Sequence, residues 1–140
     1  MGTVTVLALV DLVMLLITAG FGYASLRSWI RHRGFPAMKA VVHVTLQLSG
    51  ILAWGSFTLT GSLLLAWSSF AVLTIGQVFG DLLMFASYRS RYPGTGKAKY
   101  LAVGGDVLSF RRRAPGFHAL CGALAWFGML AICVYASVVH

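Results

Sequence analysis

The chain has 140 residues, of which 59% are hydrophobic and only 10% are charged, and its formal net charge is +8. Soluble globular domains carry about 25% charged residues, so this composition excludes an ordinary soluble protein. The length allows a single domain over residues 1–140. In a soluble protein the positive charge would suggest nucleic acid as a partner, but the placement of the charges indicates a membrane, and no nucleic-acid partner is expected.

The first apolar segment is Thr3–Leu26, and only Asp11 interrupts it. About 20 apolar residues span the hydrocarbon core of a bilayer, so the segment predicts a transmembrane helix over residues 4–26. Arginines follow it, beginning at Arg27. Because basic residues collect in cytoplasmic loops, the N-terminus is predicted to lie on the outer side.

The longest apolar stretch, Ala40–Gly80, contains no Asp, Glu, Lys or Arg. It is long enough to cross a bilayer twice. A polar, flexible cluster at Thr60–Ser62 predicts a tight turn near its middle. We therefore expect a hairpin of two transmembrane helices, residues 38–60 and 63–88.

Residues 89–115 form the one sizeable polar segment that follows this hairpin. Within it, Tyr100–Val103 and Asp106–Phe110 are short apolar-rich runs on either side of Gly104–Gly105, a pattern that predicts a small β-hairpin. Residues 116–139 contain no Asp, Glu, Lys or Arg and are long enough to span a bilayer. They predict a fourth transmembrane helix.

All 11 lysines and arginines lie in two windows, Arg27–Lys39 and Arg89–Arg113. Four helices place both windows at one membrane face, and the charge bias makes this the inner face, with the N- and C-termini outside. The predicted fold class is an all-α polytopic membrane protein of a bacterial cytoplasmic membrane or an organelle inner membrane. Anionic lipid or a partner is expected to contact the arginines of these loops: Arg31, Arg33, Arg111, Arg112 and Arg113.

Small residues at a four-residue spacing let transmembrane helices approach one another closely. Such pairs occur on the third and first segments: Gly76 with Gly80, Gly20 with Ala24, and Thr18 with Gly22. These surfaces predict packing against another helix of the chain, another membrane subunit or a second copy.

Four polar residues lie inside the predicted helices, on the side of the basic loops. Counted inward from those loops, His43 and His118 lie about 6–8 Å deep, and Gln47 and Asp81 about 12 Å deep. Polar side chains at such depth are costly and often functional. These four residues are the predicted cofactor-binding cluster.

Two histidines at equal depth on different helices are what a six-coordinate b-type haem requires, with basic residues near its propionates. The same cluster suits a quinone headgroup that exchanges protons with His and Asp. A simpler interpretation leaves His43 and His118 as interfacial residues whose polar edges reach the lipid headgroups. Asp11 and Asp81, at opposite depths, would serve a small proton-coupled transporter.

Three acidic residues and no His/Cys cluster at metal-ligand spacing predict neither an enzyme nor a metal centre. Little mass lies outside the apolar segments, and several helices carry small-residue surfaces. This combination favours a small accessory or assembly subunit of a larger membrane complex, such as a respiratory or electron-transport complex. The alternatives are an electron-transfer subunit that binds b-type haem or quinone, and the transporter.

Overall fold

A computed structural model describes residues 2–94 and 96–139 of the chain. Over these residues the protein is all-helical. The five helices are α1 (Thr3–Trp29), α2 (Ala37–Thr60), α3 (Leu63–Arg91), α4 (Tyr100–Leu108) and α5 (Arg113–Val139).

Within the described residues, four helices are long and apolar enough to cross a membrane: α1, α2, α3 and α5. Their 24 to 29 residues give lengths of about 36–44 Å, more than the roughly 30 Å of a bilayer core. The prediction of an all-helical protein with four segments able to span a membrane is therefore confirmed. At Trp29 and Arg91, α1 and α3 end about three residues later than predicted, because arginines stabilise the C-terminal turn of a helix through its dipole.

The turn between α2 and α3 consists of Gly61 and Ser62, inside the predicted turn region. Gly61 has φ +70°, and its N–H bonds to the carbonyl of Phe57 at the end of α2. A left-handed residue that closes the last helical turn is the usual helix C-cap, and glycine adopts it without steric cost.

The four long helices pack as two pairs. α2 packs mainly on α3 and α1 mainly on α5, whereas α1–α2 and α3–α5 share fewer contacts. Indole groups join the pairs: Trp54 Nε1 donates to the Ala8 carbonyl at 3.1 Å, and Trp126 Nε1 donates to Thr74 Oγ1 at 2.9 Å. The protein is thus two helical layers that meet along a seam.

The predicted β-hairpin at Tyr100–Phe110 is wrong, because residues Tyr100–Leu108 form helix α4. An isolated hairpin would leave unpaired edges and is marginally stable, whereas a helix satisfies its backbone internally. The spacing of Val103 and Val107 also fits one helical face, and both side chains are buried. Gly104 lies within this helix and forms no turn.

Asp106 holds α4 against the ends of α3 and α5. Its two carboxylate oxygens accept hydrogen bonds from Arg91 at 3.1 and 2.7 Å, and Arg112 lies 3.6 Å away. Tyr92 also donates to Asp106, at 3.1 Å. The hydrogen bonds from Arg91 lower the pKa of Asp106 below its ordinary value. We call this group of contacts the Asp106 clamp.

Candidate functional site

His43 and His118 lie near the basic-loop end of the bundle, on α2 and α5. His43 Nδ1 is 2.8 Å from the carbonyl oxygen of Gly76 on α3, and His118 Nδ1 is 2.8 Å from the carbonyl oxygen of Thr18 on α1. Each ring therefore bonds to the other helix of its own pair. A carbonyl oxygen only accepts, so Nδ1 carries a proton in both rings, and Nε2 takes no part in either bond.

Each imidazole also lies against a glycine of the same neighbouring helix. A Cβ built on Gly80 would lie 2.9 Å from His43 Cε1, and one built on Gly22 would lie 2.8 Å from His118 Cε1. Both distances are too short for a real side chain. The lack of a side chain at Gly22 and Gly80 leaves the space that the two rings occupy. The arrangement is the same in the helix pair α1–α5 and in the helix pair α2–α3.

The two rings face one another across the seam. Their centroids are 6.2 Å apart and their planes are inclined by 84°. Two imidazoles bound trans to one metal ion, each nitrogen about 2.0 Å from it, place their centroids about 6.3 Å apart. The centroid distance between His43 and His118 is close to this value.

Both histidines use the same ring nitrogen for their hydrogen bonds. Among the described residues, both histidines form their hydrogen bonds through Nδ1, and neither Nε2 is used. Histidines that ligate a metal usually donate the other ring N–H to a carbonyl or carboxylate. His43 and His118 have that arrangement before any metal is considered.

A small cavity adjoins His118. Its volume is about 30 Å³, enough for a water molecule that has two or more polar partners. Its polar lining residues are Thr18, Gln47, Gln77 and His118, and the others are Leu15, Leu73, Gly122, Trp126 and Met129.

Gln47 and Asp81, the other two members of the predicted cluster, have different positions. Gln47 Nε2 donates to the Leu73 carbonyl at 3.3 Å, within the pair α2–α3. Asp81 forms its hydrogen bond outside the predicted cluster, with a residue of α4.

Tyr100 is the partner of Asp81, through a hydrogen bond of 2.6 Å from its hydroxyl group. Tyr100 belongs to α4, which the sequence had assigned to a strand, so no pattern placed it near α3. This hydrogen bond to Asp81 raises the pKa of Tyr100 above its ordinary value.

Some of the predicted packing residues lie against a neighbouring helix, and others are exposed. A Cβ on Gly76 would lie 2.8 Å from Gln47 Nε2, so Gly76 and Gly80 both lie against α2. Gly20 and Ala24 are exposed, and nothing described lies within 4 Å of a Cβ on Gly20. Among the described residues Gly20 therefore meets no other helix, because α1 packs through the stripe that contains Thr18 and Gly22.

The predicted lipid-contacting arginines also differ from one another. Arg31, Arg33, Arg111 and Arg113 are exposed. Arg112 is half-buried, and it bonds to Ser87 at 3.2 Å while lying beside Asp106. Arg112 therefore belongs to the Asp106 clamp.

Comparison of the chain with protein-family models, curated proteins and solved structures gave no match. Function must therefore be inferred from the side chains themselves.

Proposed function

We propose that this protein is a membrane-embedded b-type cytochrome that carries electrons through one haem held between its two helix pairs. His43 and His118 would hold its iron. The observation that carries the proposal is their geometry: two rings 6.2 Å apart across the seam, each with Nδ1 bonded to a backbone carbonyl. Each Nε2 is thereby left for the iron.

The number of donors favours haem over a bare metal ion. Among residues 2–94 and 96–139, no group of three or more His, Cys, Asp or Glu could hold a metal. A bare zinc ion takes four ligands, whereas a haem iron, already bound by four porphyrin nitrogens, would need only two from the protein. The cavity beside His118 measures about 30 Å³, so the packing between the helix pairs would have to open for a porphyrin to enter.

Two protein ligands would limit the haem to electron transfer. With His43 and His118 both holding the iron, the haem would supply one-electron transfer and no binding site for oxygen or a substrate. It can gain and lose one electron, and the protein tunes its potential through the ligands and the surrounding dielectric. We therefore propose electron transfer and no catalysis at the iron.

The charges support one orientation in the membrane. The basic loops lie at the histidine end of the bundle, and we propose that they face the cytoplasm or the matrix, with both termini outside. Exposed arginines such as Arg111 and Arg113 are available to anionic lipid headgroups or to haem propionates. The role as an accessory subunit of a larger electron-transport complex stays a prediction, and electron transfer is compatible with it.

The proposal is tested on the purified full-length protein by a reduced-minus-oxidised absorption spectrum. We expect the bands of a six-coordinate b-type haem, which are lost in His43→Ala and in His118→Ala. His32→Ala is the matched control: His32 is exposed, and its Nδ1 lies 3.2 Å from the carbonyl of Trp29 in its own turn. This variant should keep the full spectrum.

Added imidazole separates a lost ligand from a lost fold. A free imidazole can occupy the space vacated in His118→Ala and should restore part of the six-coordinate spectrum. If the wild-type protein, expressed with sufficient haem, purifies as a folded bundle without haem bands, the cytochrome proposal is wrong. Equal spectra for His32→Ala, His43→Ala and His118→Ala would also refute it.

A further inference from the structure

Helix α4 carries two leucines on the side turned away from the bundle. Leu101 is 90% exposed and Leu108 is 52% exposed. They are seven residues apart and therefore share one face of the helix, with only Gly104–Gly105 at the positions between them on that face. Val103 and Val107, on the opposite face, are buried. We call Leu101 and Leu108 the leucine face.

The contacts of α4 with α3 fix its position along the bundle. At the start of α4 the Tyr100 and Phe85 ring centroids are 5.4 Å apart, and the Tyr100 hydroxyl group donates to Asp81. Toward the end of α4, Asp106 accepts hydrogen bonds from Arg91. Tyr100 to Asp106 and Phe85 to Arg91 are both steps of six residues, about 9 Å along a helix. α4 therefore runs beside the last two turns of α3, in the same direction.

The start of α4 is level with the first basic residue of α2. Gly80 on α3 lies against His43 on α2. Lys39 is four residues from His43 toward the basic loops, and Phe85 is five residues from Gly80 in the same direction. Lys39 and Phe85 are therefore at about the same level, and so is Tyr100, which contacts Phe85.

The other helix pair reaches its first basic residues at this level too. Gly22 on α1 lies against His118 on α5. Arg27 follows Gly22 by five residues, and Arg113 precedes His118 by five. Since the two histidine rings face one another across the seam, these arginines are level with Lys39. Charged side chains avoid the hydrocarbon core, so this layer marks the boundary between acyl chains and headgroups, and α4 begins there.

The charged side chains that flank the leucine face are basic. Lys97 and Lys99 precede α4, Arg111 follows it, and all three are exposed. Asp106 is the one acidic residue in the sequence 89–115, and it is engaged in the Asp106 clamp. The charges that this segment exposes are therefore all positive. They complement the phosphate of anionic lipid headgroups, and a lysine stem can lie along acyl chains while its ammonium group stays at the surface.

We propose that the leucine face of α4 lies in the leaflet on the side of the basic loops and binds anionic phospholipid. Leu101 contacts the upper part of the acyl chains, and Lys97 and Lys99 bind the headgroup phosphate. An apolar helical face buried about 5–10 Å into this boundary, with basic residues beside it, is the arrangement of an interfacial helix. The Asp106 clamp holds α4 in the rotation that presents the leucines. The proposal does not use the histidine pair and is independent of haem.

The test is the quenching of a fluorescent label at position 101 by brominated lipid. In the full-length protein, Cys121→Ala and Cys133→Ala leave Leu101→Cys as the only thiol, which is labelled with bimane. The protein is placed in phosphatidylcholine nanodiscs in which an equal fraction of either phosphatidylglycerol or phosphatidylcholine is brominated near the top of its chains. We expect both lipids to quench the label and brominated phosphatidylglycerol to quench it more. Two lysines favour the anionic lipid by up to roughly 30-fold.

The lysines are tested by removing their charge. Lys97→Gln combined with Lys99→Gln should make the two brominated lipids quench equally, because the leucines remain in the leaflet and the attraction for phosphate is lost. Arg33→Gln is the matched control, since Arg33 is exposed in the other basic loop, and it should keep the preference. A label at Pro93, two residues beyond the end of α3, should be quenched less than one at Leu101.

Circular dichroism and size-exclusion chromatography identify variants that do not fold, and Leu108→Cys provides a second labelling position. Absence of quenching by both lipids at positions 101 and 108 would overturn the proposal, and would mean that another subunit or a second copy covers the leucine face. Equal quenching by the two lipids with both lysines present would overturn the binding of anionic lipid. No haem band enters the measurement, so its outcome is separate from that of the cytochrome proposal.

Discussion

Gly22→Ala adds a single methyl group beside the proposed ligand His118. Its Cβ would lie 2.8 Å from His118 Cε1, and ordinary contact begins at 3.4 Å, so the ring would have to retreat by about 0.6 Å. A ligand–metal distance tolerates about 0.2 Å. The methyl group therefore forces the ring either to leave the iron or to push α1 and α5 apart.

The expected magnitude follows from the cost of overpacking. One extra methyl group in a packed site costs about 1–3 kcal/mol, which corresponds to a roughly 5- to 150-fold weaker haem affinity. The haem-to-protein ratio of the purified protein, together with the rate of haem loss to an excess of apomyoglobin, measures this. Gly80→Ala should behave alike, because its Cβ would lie 2.9 Å from His43 Cε1.

Gly20→Ala is the matched control on the same helix. Nothing described lies within 4 Å of a Cβ at Gly20, so this variant should bind haem like the wild type. If Gly22→Ala retained haem as tightly as Gly20→Ala does, the glycine would not be making room for the ligand. The axial role of His118 would then lose its geometric support.

Two further predictions concern the loops and the orientation. Asp106→Asn should loosen the Asp106 clamp by about 1–2 kcal/mol and speed hydrogen exchange in α4. In the wild type, where the folded pKa of Asp106 is lowered, this protection should persist from neutral pH down to the ordinary value of 3.8 and be lost below it. Cysteines introduced at Ser28 and Ser90 should be labelled from the same, cytoplasmic side of sealed vesicles. Labelling from opposite sides would contradict the four-span topology.

The sequence by itself determined the four spanning segments. Their signal is local, because a helix that crosses a bilayer must be apolar over its whole length whatever it packs against. Even the turn at Gly61 could be located, since a glycine between two long apolar runs is a local signal. The same local reasoning failed at Tyr100–Leu108: a nine-residue segment with two glycines suits a hairpin or a helix alone. Contacts of Asp106 with Arg91 and Arg112 favour the helix.

Depth along a helix could also be counted from the sequence, and it selected His43 and His118. The direction in which each side chain points depends on how the helices rotate and pair, and this follows from close packing among residues far apart in the chain. Only the tertiary structure could therefore turn the two rings toward one another. For the same reason it placed Asp81 beside Tyr100, and it left Asp11 buried against Gly128, with no hydrogen-bond partner for its Oδ2 among the described residues.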